Sequence, residues 1–167
     1  MKSSSVLTDA FERIGGSVEG VLRGLGPEQL NRRPGGRGNS IAWLIWHLSR
    51  IQDDHIADAA GLEQVWTAQG FATRFDFPLD PGDTGYGHTS EQVSSIRADS
   101  ADVLLDYHRA VLAQTLEFIA PLDGPDFDRI VDESWDPPVS LGVRLVSVLG
   151  DCLQHVGQAA YVRGLPA

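Results

Sequence analysis

The sequence predicts an all-α protein, a single four-helix bundle spanning residues 1–167. Three observations predict it. Apolar residues recur at three- and four-residue steps in four long stretches. Gly and Pro residues punctuate the chain between them. One connection is long enough to cross the bundle, which would let the second and third helices run parallel.

The first helix is expected over about residues 6–25. Val6, Leu7, Ala10, Phe11, Ile14, Val18, Val21, Leu22 and Leu25 form its apolar stripe, and Gly24, Gly26 and Pro27 end it. Residues 31–38, rich in Gly and Arg, read as a loop. The second helix opens at Asn39 or Ser40, either of which can cap free amides, and runs to about Ala60 before Gly61. Residues 61–88 hold several glycines and prolines, plus aromatic patches at Trp66 and from Phe71 to Phe77. They read as a long connection packed down onto the bundle, a length that usually serves a function. Thr89 and Gln92 resemble a capping box opening a third helix that runs unbroken to Pro121. A loop over 122–139 ends in Trp135-Asp-Pro-Pro-Val. Ser140 then caps a fourth helix reaching about Arg163, with Gly164 and Pro166 beyond.

Composition narrows the function classes. An apolar fraction of 42% suits a globular chain, and 167 residues give it a sizeable core. A net charge of −10 argues against nucleic acid and anionic membranes as partners. The one cysteine, Cys152, leaves no intrachain disulfide and fits a reducing compartment. The N-terminal stretch lacks the apolar run of a signal peptide, and no window has the length of a membrane span. A cytoplasmic protein is the expectation.

Polar residues on apolar helix faces are costly unless paired, and three of them stand out here. His47 lies in Ile41-Ala-Trp-Leu-Ile-Trp-His-Leu-Ser-Arg50, on the face of Trp43 and Ile51. Asp151 and His155 stand one turn apart on the apolar stripe of the fourth helix, about 40° from each other. A divalent metal shared by His47, Asp151 and His155 would pair all three, and bundle cores hold such sites on facing helices. Asp54, seven residues after His47, is expected behind the ligands or as an alternate ligand. Gln158, about 60° from His155, could hydrogen-bond a ligand or substrate. Asp58 is expected to be wet, and His55 interfacial or exposed. His88 is expected in a loop, His108 on a helix surface and Cys152 as a small core residue. No Ser/His/Asp constellation, phosphate loop or dinucleotide fingerprint is present.

These residues carry a resemblance. Trp46-His47-Leu48 followed by Gln52-Asp53-Asp54-His55 is similar to the first metal motif of the DinB-like superfamily. His155-Val-Gly-Gln-Ala-Ala-Tyr-Val-Arg163 is similar to its last motif. Length, helix order and the long crossover also agree. The resemblance implies an up-down-down-up bundle with a divalent metal, zinc first, with nickel or iron as alternatives. Many members place histidine where this chain has Asp151. The mycothiol-dependent maleylpyruvate isomerase branch places a glutamate there, one methylene longer. Characterised members include transferases and isomerases that use a low-molecular-weight thiol such as mycothiol or bacillithiol.

Two histidines and one carboxylate leave a coordination position open, the composition of catalytic zinc sites and also of non-haem iron sites. The leading expectation is a metal-dependent thiol S-transferase or isomerase acting on a small electrophile. The site mouth would come from the long crossover and from Trp135-Asp-Pro-Pro. Arg50 and Arg163 are candidates to hold a carboxylate of the thiol or substrate. One alternative is metal-assisted hydrolysis. Another is a non-enzymatic dimeric bundle with a vestigial or structural metal site. Exposed helix faces could pair into a homodimer.

Overall fold

The computed structural model describes residues 2–166, so Met1 and Ala167, the ends of the predicted domain, lie outside the described residues. Four long helices carry the fold: α1 (Ser3–Leu22), α3 (Ile41–Ala60), α7 (Ala101–Ile119) and α8 (Leu141–Gly164). Their contacts close a ring in which α3 packs on α7 and α8, and α1 packs on the same two. Paired residues give the directions. Ser49 meets His108 and Gln52 meets Thr115, so α3 and α7 run parallel. His47 meets His155 and Gln52 meets Cys152, so α3 and α8 run antiparallel. Arg109 meets Glu19, and a Cβ at Gly15 would strike Leu112, so α1 opposes α7. The topology is the expected up-down-down-up, with the long crossover between α3 and α7.

The helix ends follow local chemistry. Ser40 accepts from Trp43 N–H at 3.1 Å at the start of α3, and Ser140 accepts from Val143 N–H at the start of α8. Gly61 closes α3 at φ 66°, and Leu62 N–H returns to the Ala57 carbonyl. The first helix lies further toward the N-terminus than expected, ending at Leu22, and a short α2 (Pro27–Asn31) follows. No helix among the described residues is long and apolar enough to cross a membrane.

One predicted helix is two. The Thr89–Gln92 capping box does open a helix, but it is the short α6 (Ser90–Ser95). The chain turns extended at Ile96 and restarts at Ala101 as α7. The cause is a distant side chain. Asn31 donates to the Ala98 carbonyl at 2.8 Å and accepts from Ala98 N–H at 2.9 Å, so both backbone groups of Ala98 are taken outside any helix. Burying Ile96 and Ala98 holds the break in place. The loop over 122–139 likewise contains an antiparallel pair, β1 (Ile130–Asp132) with β2 (Val139–Ser140).

The crossover folds onto the bundle as the sequence suggested, in two short helices, α4 (Val65–Ala68) and α5 (Phe71–Phe75). Trp66, Phe71 and Phe75 surround the ring of Tyr107 on α7 at 5.1, 5.0 and 6.0 Å. The anchor is Asp53 on α3, which is 1% exposed. Its carboxylate accepts from Val65 N–H, Trp66 N–H and Tyr107 O–H, each at 2.8 Å. Burial pushes the carboxyl pKa up, and these three bonds pull it back.

His108 corrects an expectation. It is 1% exposed, not on a surface, because α1 approaches closely at Gly15 and covers it, and its Nδ1 pairs with Ser49 Oγ at 3.1 Å. Burial lowers its pKa to about 4, against a small opposing pull from Glu19.

Two outcomes are expected. Asp53→Ala should lower unfolding free energy by about 3–5 kcal/mol in urea titrations, because Arg50 is left as an unpaired buried charge. Because the folded-state pKa of His108 is depressed, its contribution to stability is full above the unfolded value of 6.5 and fades toward pH 4. Between pH 7 and 4.5 it should account for about 2 kcal/mol of acid destabilisation, a slope that His108→Leu removes.

Candidate metal centre

α3 and α8 lie close because a small residue fills the seam. Cys152, fully buried, puts its sulfur 3.6 Å from the Leu48 carbonyl and 3.7 Å from Gln52 Oε1. Burial raises this thiol well above its ordinary pKa, so it is a packing residue and not a nucleophile. That close approach sets His47 of α3 against Asp151 and His155 of α8. Each of the three offers a donor atom within 4.8 Å of the others. His47 and His155 meet nearly edge to face, with centroids 4.8 Å apart and planes at 77°.

Each imidazole already uses one nitrogen. His47 Nδ1–H donates to the Thr84 carbonyl at 2.6 Å, and His155 Nδ1 pairs with Gln158 Oε1 at 2.9 Å. The Nε2 atoms are therefore the ones left for a ligand. His155 Nε2 lies 3.5 Å from Asp151 Oδ1, while Asp151 Oδ2 is buried with no hydrogen-bond partner. Burial lowers the His47 pKa despite the Thr84 bond, favouring the neutral, ligating form. Asp151 raises that of His155, ahead of the opposing effect of burial. Trp43 stacks on His47 at 4.5 Å and 16° and meets His155 edge-on at 6.1 Å, walling one side of the centre. Two imidazoles and one carboxylate, one of whose oxygens is orphaned, make a donor set that fits a divalent cation with an open position.

A cleft of about 730 Å³ is lined by Asp54, His55, Thr84, Tyr86, Trp135 and Arg144; none of the three donors lines it, and Thr84, whose carbonyl meets His47, is the residue that joins the two. Thr84 and Tyr86 come from the crossover and Trp135 from the 122–139 loop, the two segments named from sequence for the mouth. Tyr86 is 88% and Trp135 66% exposed, so both rings are free at the rim. His55 is half-buried, and burial, followed by the charge of Arg144, lowers its pKa.

The remaining candidates fall in different places. Asp54 accepts from Gln64 at 2.8 Å and faces the cleft, outside the three-residue cluster. Gln158 orients His155. Arg50 is fully buried. It donates to the Asp83 carbonyl, Gln64 Oε1 and Tyr107 Oη, and lies over the Trp66 ring. Arg163 is eight residues past His155, about 12 Å along the helix, and donates to the Gly20 and Val21 carbonyls at the end of α1. Neither arginine presents a free guanidinium to the cleft. His88, which the sequence placed only in a loop, is nearly enclosed. It accepts from Trp43 Nε1–H at 3.1 Å, and its Nε2 sits 2.9 Å from Asp83.

Comparison with known proteins bears on the fold and the family. A search of curated proteins finds no match. A crystal structure described as the conserved protein of a locus from Enterococcus faecalis superposes with a TM-score of 0.91 at 28% identity, covering 98% of this chain and 96% of that one. The mycothiol S-transferase family, a DinB-like family, matches residues 6–166. With nearly its whole length inside that match, the chain belongs to the mycothiol S-transferase family.

Proposed function

We propose that this protein is a metal-dependent S-transferase that joins a small thiol of the mycothiol type to a small electrophile. The observation that carries the reading is the convergence of His47, Asp151 and His155, each offering a donor atom within 4.8 Å of the others, with one oxygen of the Asp151 carboxylate left unpartnered. Family membership supports the thiol. Zinc suits two imidazoles and a carboxylate, and nickel or iron suits the same donors. A divalent cation there would hold a thiol as its thiolate at neutral pH, the nucleophilic form.

The chain's own residues supply the rest. Thr84 and Gln158 aim the two imidazoles. Trp43 keeps water from one flank of His47. The cleft that Thr84 lines would take the substrates, with Tyr86 and Trp135 offering aromatic faces at its rim. In the transfer the sulfur forms a bond to the electrophilic carbon as that carbon's bond to its leaving group breaks. The leaving group takes the electron pair, and the thiol proton goes to solvent.

A cytoplasmic location goes with this reading, since low-molecular-weight thiols are kept reduced there. So does a homodimer. Val143, Val146, Leu153 and Tyr161 leave an apolar strip exposed on the outer face of α8, and a monomeric mass by light scattering would remove that part.

Protein purified without a tag should carry close to one equivalent of metal, measured by elemental analysis. It should conjugate an electrophile with mycothiol faster than with glutathione. A rate equal to that of chelator-stripped protein would end the transferase reading. Asp151→Ala and His155→Ala should each lose the metal and lower kcat/KM by more than the roughly 10–100-fold typical of losing a ligand's outer partner. Both should melt as folded bundles, because packing along the apolar helix faces carries the stability. Metal content unchanged in both variants would show that the ion sits elsewhere.

A further inference from the structure

We propose that the crossover segment Asp83–His88 is a clip that sets the tautomer and orientation of His47, with His88 as its positioning residue. The inference rests on the reading of His47 as a metal ligand.

Thr84 supplies the carbonyl that accepts from His47 Nδ1–H at 2.6 Å. That bond puts the ring proton on Nδ1 and the lone pair on Nε2. The carbonyl sits in irregular chain, so something else must fix it. Asp83, the preceding residue, is held at both its backbone and its side chain: its carbonyl accepts from Arg50 Nε–H at 3.1 Å, and its carboxylate accepts from Gly85 N–H at 2.7 Å. The carboxylate also meets His88 Nε2 at 2.9 and 3.0 Å. Trp43 can only donate, so His88 Nδ1 accepts from it, and the His88 proton lies on Nε2 and points at Asp83. The His88 ring stacks on Trp46 with centroids 5.9 Å apart. Trp43, Trp46, His47 and Arg50 thus form one face of α3 that grips the segment at both ends.

Gly85 makes the fit flush. Its φ is +88°, and a Cβ there would come within 2.8 Å of His47 Nδ1 and 2.9 Å of Trp46. The segment lies directly against the imidazole it orients. His88 is neither one of the three donors nor a residue lining the cleft, and its side-chain hydrogen bonds run to Trp43 and Asp83, so it acts through them.

The test compares His88→Leu with His88→Gln. Glutamine can accept from Trp43 and donate to Asp83, whereas leucine can do neither. Zinc affinity, read by chelator competition on the full chain, should weaken about 10–100-fold in His88→Leu and recover most of that loss in His88→Gln. NMR of the metal-free proteins should show the His47 Nδ1–H resonance protected from exchange in the wild type and in His88→Gln, and lost in His88→Leu. Should His88→Leu not fold, Asp83→Asn makes the same comparison, because it weakens the acceptor shared by His88 and Gly85. Unchanged zinc affinity and an unchanged His47 resonance in a folded variant would overturn the clip. A wild type that binds no zinc yet shows the protected resonance would keep the clip and overturn the metal reading.

Discussion

The buried carboxylate of Asp53 is the constraint on which the rest of the molecule depends. A lone carboxylate in a helical core would be expensive. This one is satisfied by two backbone amides at the start of α4 and by the Tyr107 hydroxyl of α7, with Arg50 3.6 Å away. It therefore joins three pieces of chain that no local rule connects. The crossover is pinned where it leaves α3, α7 is oriented through Tyr107, and Arg50 is held where its Nε reaches the carbonyl of Asp83. Replacing such a cluster with apolar residues could match it for stability. It could not specify where the crossover returns.

The site itself is assembled at the seam between α3 and α8. Antiparallel packing of α3 on α8, tight at Cys152, brings one histidine and an Asp-x-x-x-His pair to the same level of the bundle. The shorter aspartate still brings an oxygen within 4.8 Å of the imidazole donors, because Asp151 and His155 lie one turn apart on one helix and need span only the gap to His47. One carboxylate oxygen lies toward His155 and the other is left without a partner. An unpartnered buried oxygen beside two imidazoles is poor packing for an internal ion pair and is what a cation's ligand would offer.

Much of this was legible in the sequence, for reasons that can be named. Ser40, Gly61, Thr89 and Ser140 act within their own turns, so their roles as helix ends could be read from neighbours alone. His47, Asp151 and His155 stood out because each is polar on an apolar stripe, and helical periodicity put the latter two together. The failures share a physical cause. The break before α7 is made by Asn31, 67 residues from Ala98, and nothing in the local pattern of 89–121 announces it. His108 looked exposed because its cover is Gly15, whose lack of a side chain leaves no apolar signal. Arg50 and Arg163 look like substrate-binding residues by charge. Their donors are taken by carbonyls and side chains far along the chain. Periodicity records which face a residue occupies, not what arrives from elsewhere to meet it.

The irregular crossover belongs to the site for a reason that follows from the helices themselves. A histidine that binds a cation through Nε2 needs an acceptor for its Nδ1–H. Within an α-helix each carbonyl already accepts from the residue four positions on, so a regular bundle has few carbonyls to spare. On the more open side, where His155 stands, the next turn of α8 meets its Nδ1 with the side chain of Gln158. His47 is 5% exposed and faces inward, and no side chain of its own helix takes that role. The free carbonyl comes from Thr84, in chain that is not helical, laid against the imidazole because Gly85 has no side chain to hold it off. Shortening the crossover into a tight turn would leave four helices able to pack and three donors able to converge. It would also leave His47 without the partner that decides which of its nitrogens carries the proton.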